Sequence, residues 1–69
     1  MNWEQIQGDW TQFKAGVRAN WVKITDEDIT RIGGRREELV KRLQARYGFA
    51  KNEAEREVDA WVKTRRYAA

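Results

Sequence analysis

Gly33 and Gly34 are followed at once by Arg35 and Arg36, and Arg42 and Arg46 recur along the same amphipathic run. Glycines between two helices let backbone N–H groups come close to a phosphate, and the dipole of the next helix adds attraction for an anion. Arg35, Arg42 and Arg46 form a stripe beside the apolar face of that run, a layout that suits a phosphate backbone. Gly33, Gly34, Arg35, Arg36, Arg42 and Arg46 are therefore the candidate nucleic-acid-binding residues. A plainer reading competes with this one. Phosphate-gripping hairpins place an apolar wedge between two glycines, and here the glycines are adjacent. A glycine pair is also the ordinary exit from one helix into another. Glu38 to Arg42 and Glu37 to Lys41 have the favourable i, i+4 spacing, worth about 0.2–0.5 kcal/mol each. Arg36 points toward the core face and snorkels at its edge. The sequence thus favours a connection and a solvated charged face over a grip.

Other chemistry finds less support. The 69 residues contain no cysteine and no histidine, which removes disulfides, thiolate sites and the commonest general base and metal ligand. Asp26, Glu27 and Asp28 are consecutive and lack the ligand spacing of a calcium loop. Glu53, Glu55, Glu57 and Asp59 alternate with Lys51, Arg56 and Lys63, and Asp59 precedes Lys63 at a pairing distance of four. No phosphate loop of the GxxxxGK type is present. No catalytic residue, metal ligand or cofactor is expected, and the chain reads as a non-enzyme. The four tryptophans would make stacking platforms for bases, but a helical aromatic stripe is far more often core. Net charge is +3, with acids and bases interleaved. A dedicated nucleic-acid domain usually carries a stronger one-signed stripe. Apolar runs are too short for a membrane span, so a cytoplasmic monomer without a membrane partner is expected, its binding partner unknown.

The elements that position these residues are helices. Trp3, Ile6, Trp10, Phe13, Val17, Trp21 and Ile24 recur at steps of three and four, within a stripe of roughly 80° on a helix. The spacing predicts one helix over 3–22, with Asn2 as its cap. Thr25 and Asp28 have the spacing of a capping box, which opens a short helix over 26–32. Leu39, Val40, Leu43 and Tyr47 share a face of a third helix over 35–47, ended by Gly48, with Phe49 folding back on it. Ala54, Val58, Trp61 and Val62 mark a fourth over 51–65. Its cap is either Ala50, paired with Glu53, or Asn52, paired with Glu55. The tail after Arg66 is expected to fray. The expected core is Ile6, Trp10, Phe13, Val17, Trp21, Ile29, Ile32, Leu39, Leu43, Tyr47, Val58 and Trp61. The fold class is all-α: one domain over 1–69, a small four-helix bundle of two roughly orthogonal hairpins.

Two stretches, "GDWTQFKAGVRANWVKITDEDI" and "RREELVKRLQARYGFAKNEAEREVDAW", resemble the CsbD-like family of small bacterial stress proteins. The likeness rests on Trp10, Phe13, Lys14 and Gly16, on the turn from Trp21 to Thr25, on Gly34, Arg36 and Leu39, and on Arg46-Tyr47-Gly48 followed by Glu53-Ala54-Glu55. It implies a hydrophilic cytoplasmic protein of the general stress response, with a fold similar to helix–hairpin–helix and SAM-like bundles. It implies no catalytic residues, because the family's molecular activity is not established. Lys41 stands where members often have glycine, and Ala50 where a capping serine or threonine is common.

Overall fold

A computed structural model describes residues 2–64. Within them the order is α1 (Trp3–Gly8), α2 (Trp10–Asn20), α3 (Asp26–Ile32), α4 (Arg36–Tyr47) and α5 (Lys51–Thr64), with no strand among the described residues. Residue 65, the predicted end of the last helix, and the tail after Arg66 lie outside the described residues.

Five helices stand where the periodicity predicts four. The continuous helix expected over 3–22 is broken at Asp9, whose φ of −128° and ψ of 43° leave the helical region. Gly8 weakens the local helix and Asp9 is a poor interior residue, so the break is locally inexpensive. The pull across it is tertiary. Trp3 turns away from the axis of α2, and its indole N–H donates to the Gly34 carbonyl at 2.8 Å. The second half also ends early, at Asn20, where Trp21 closes α2 with its N–H on the Val17 carbonyl.

Capping fixes the other boundaries. Asn2 forms a full capping box with Gln5, and Thr25 forms one with Asp28. Gly33 and Gly48 end α3 and α4 in the left-handed conformation, with φ of 52° and 72°. Tyr47 and Phe49 stack at 5.3 Å across that second terminator. Lys23 adds to the stack, its Nζ 5.1 Å from the Tyr47 ring centre and its backbone N–H donating to the Tyr47 hydroxyl. The α2–α3 turn is thereby tied to the end of α4.

The core runs the length of the molecule. Ile6, Val17, Ile24, Ile32, Leu39, Leu43, Ala54 and Val58 are fully buried, and Phe13, Trp21, Ile29, Val40 and Trp61 nearly so. Trp10 and Tyr47, expected in the core, lie half-buried against it. Trp61 is the aromatic centre: Trp21, Phe13 and Trp3 surround it at 5.7, 6.4 and 6.4 Å between ring centres. α4 packs most extensively on α5.

The start of α5 is a half-finished cap. The Ala54 N–H bonds the Ala50 carbonyl, and the Glu53 carboxylate accepts from the Ala50 N–H at 2.9 Å. Residue 50 is thus the N-cap, and its methyl group offers no acceptor for the first-turn N–H groups. Ala50→Ser supplies that acceptor and should stabilise the protein by about 1 kcal/mol, read as a higher urea midpoint with an unchanged slope. Asn52→Ala should leave the midpoint within about 0.5 kcal/mol of wild type.

Candidate functional site at the glycine turn and the arginines

The glycine turn is roofed by α1. Gly34 is buried at φ +83°, and a Cβ there would sit 3.3–3.4 Å from the Cγ, Cα and carbonyl oxygen of Gln7. Its backbone torsion favours glycine, and the close pass of α1 would make any Cβ a tight contact. The turn's donors point inward as well. The Gly33 N–H bonds the Ile29 carbonyl at 3.1 Å and the Arg35 N–H bonds the Ile32 carbonyl at 2.9 Å. A phosphate grip needs such N–H groups aimed at solvent; these two satisfy the end of α3 instead.

Each candidate arginine has an internal partner. The Arg35 guanidinium donates to the carbonyls of Arg31 and Ile32 and closes the last turn of α3. Arg36 does not merely snorkel. It reaches α5, donating to Asp59 at 2.9 Å with Glu55 3.8 Å away. This takes Asp59 from Lys63, the partner that helical spacing suggested. Arg42 and Arg46 converge on Asp28 from α4. Arg46 binds the carboxylate with two parallel hydrogen bonds, Nε to one oxygen at 2.8 Å and a terminal nitrogen to the other at 2.9 Å. Arg42 stands 3.7 Å from Asp28, so the expected Glu38–Arg42 pair does not form and Glu38 meets Lys41 at 3.6 Å. The Arg42 Nε is buried without a partner among the described residues.

Asp28 is the centre that the sequence reading missed. Its side chain is 1% exposed, yet it serves two functions at once. It accepts from the Thr25 N–H at 3.1 Å to complete the capping box, and it anchors two arginines of the neighbouring helix. The hydrogen bonds from Arg46 hold its carboxyl well below the usual carboxylate range, against the opposing effect of burial and with help from Thr25. In return Asp28 raises the Arg46 guanidinium further. A signal was available. Arg42 and Arg46 are like charges at i, i+4, a destabilising spacing unless an acid from elsewhere lies between them.

The six candidates therefore do not make one open surface. Gly33, Gly34 and Arg35 sit together at the turn, Arg42 and Arg46 meet at Asp28, and Arg36 departs to α5. Among the described residues no helix is long and apolar enough to cross a membrane, and no three acids gather as metal ligands.

No protein-family model matches the chain. Individual relatives do. The UPF0337 protein YjbJ of Escherichia coli O6:H1 is 48% identical over 67 residues, covering 97% of each chain. The chain belongs to the UPF0337 family. The UPF0337 protein ECA0631 of Pectobacterium atrosepticum is 46% identical over the same share, and RPA4217 of Rhodopseudomonas palustris is 45% identical over 93% of this chain and 97% of its own. None of these UPF0337 names states an activity.

The Asp28 cluster makes stability depend on acid. A carboxyl held lower in the folded chain than its ordinary value near 3.8 contributes stability above that value and loses it as pH falls toward the folded one. Asp28→Asn keeps the shape and removes the charge. It should lower stability by about 2–3 kcal/mol at pH 7, and its urea midpoint should fall less steeply than wild type below about pH 4. Parallel wild-type and variant curves in that range would disprove the role given to Asp28.

Proposed function

We propose that the protein is a non-enzymatic stress-response module of the CsbD-like kind, cytoplasmic, acting through an interaction rather than a reaction. The observation that supports this reading is the use of its charged groups. The residues that looked available for binding or chemistry are engaged in helix closure and inter-helix pairs. What that leaves is a small, densely ion-paired helical surface. We further read the helices as two hairpins crossing at a large angle in one domain, in the SAM-like and helix–hairpin–helix manner, with the α3–α4 turn at the crossing.

One observation favours a second reading, a nucleic-acid-binding module. Arg46 keeps 43% of its side chain exposed while it holds Asp28, and Arg31 keeps 60% exposed beside Glu27. With a net charge of +3, such groups attract phosphate at low salt even without a backbone grip.

Two measurements separate the readings. Transcript and protein levels should rise several-fold under osmotic shock, heat or stationary phase, and flat levels under all three would overturn the first reading. Gel shifts on DNA and RNA test the second. A binder making about three phosphate contacts loses ~40-fold in affinity between 50 and 200 mM salt, and Arg31→Ala should weaken it, with circular dichroism showing that the variant stays folded. No shift at 50 mM salt would remove that reading.

A further inference from the structure

The sequence and the structure disagree at one place, and the disagreement is informative. Trp3, Ile6, Trp10, Phe13, Val17 and Trp21 lie on one stripe of an uninterrupted helix, yet the chain turns at Asp9 and folds α1 back over the glycine turn. We infer that α1 can be exchanged between two copies of this chain, with Gly8 and Asp9 as the hinge and α1–α2 straightened into one helix.

Four features carry this. The hinge is lightly fastened: the Asp9 N–H bonds the Ile6 carbonyl at 3.2 Å, but the Asp9 side chain makes no capping bond to α2. It has nothing to prevent straightening, since there is no proline in the chain and a Cβ on Gly8 would meet open space. Straightening extends the i to i−4 ladder through Asp9, where the closed form has the Asp9 N–H on the Ile6 carbonyl at 3.2 Å and the Asp9 carbonyl shared by Gln12 and Phe13. The vacated seat, meanwhile, has a demanding shape. It presents the Gly34 carbonyl to an indole N–H, the Gly34 Cα to the Gln7 backbone, the Trp61 ring to Trp3, and a fully dry position to Ile6. A core opened there cannot stay wet. The segment that fits it is the α1 of a second copy, because the fit already exists in the sequence. Exchange of an identical element through a short hinge is a low-cost route to a dimer.

The test uses the full chain. Wild-type protein and Gly8→Ala/Asp9→Ala are refolded at millimolar and micromolar concentration and measured by light scattering. Gly8 already lies within α1, so the gain comes from residue 9: alanine there favours the straight hinge by about threefold per copy, and the dimerisation constant should rise about tenfold. Asp9→Ala alone carries the test if the double variant does not fold. The dimer is then formed from isotope-labelled and unlabelled chains, and a filtered NOE between the Trp3 indole N–H and Gly34 should appear between chains. Both variants staying monomeric at millimolar concentration would overturn the inference. A dimer whose Trp3–Gly34 contact lies within one chain would overturn it equally.

Discussion

Asp28 is the one charged group that the described fold takes out of water, and the arrangement of α3 against α4 depends on how it is met there. A buried carboxylate is tolerated only when its oxygens are filled with donors. Thr25 supplies one from its own helix start and Arg46 supplies two from α4. The bidentate geometry matters more than the charge alone, since a planar fork fixes distance and rotation together. A helix of seven residues has little stability of its own. By giving the Asp28 carboxylate of the capping box a second duty, the protein makes formation of α3 and its docking onto α4 a single event. Ile29 and Ile32 then seal the apolar side of the same joint.

The opposite end is held differently. There the fastening is aromatic and non-ionic: Trp61 gathers Trp3, Phe13 and Trp21, and Trp3 adds one hydrogen bond to Gly34. The two ends therefore respond to different conditions. Acid weakens the Asp28 joint, whereas the indole cluster meets a carboxylate only through the 3.4 Å bond from the Trp21 indole N–H to Glu57. In a domain this small, neither fastening has much reserve.

Much of the fold could be read from the chain because its signals are local. The capping boxes, the left-handed glycines after α3 and α4, and the apolar positions of α4 and α5 each follow from residues within a few places of one another. The half-burial of Trp10 and Tyr47 could not be read, because periodicity gives a face and not a depth. The break at Asp9 was hidden for a related reason. Nothing in residues 3–22 forbids a continuous helix, and the competing attraction comes from Gly34, some thirty residues away. The arginines were misassigned by the same limit. Helical spacing reveals partners three or four residues off, whereas Arg36 and Arg46 found acids 23 and 18 residues away.

The same reasoning bears on the glycine pair. Two glycines before two arginines satisfy the composition of an anion site and the composition of a tight crossing equally well. Only the neighbours of the turn discriminate. A Cβ on Gly34 would press tightly on α1, its φ of +83° disfavours a side chain, and the N–H groups of Gly33 and Arg35 are turned into α3. Arg35 reaches back to the same helix end, adding its guanidinium to carbonyls that would otherwise face water. The Gly33 and Arg35 N–H groups and the Arg35 guanidinium thus all serve to close one short helix. The requirement at this turn is space and torsion, so a larger residue at 34 would displace α1 before it altered any charge.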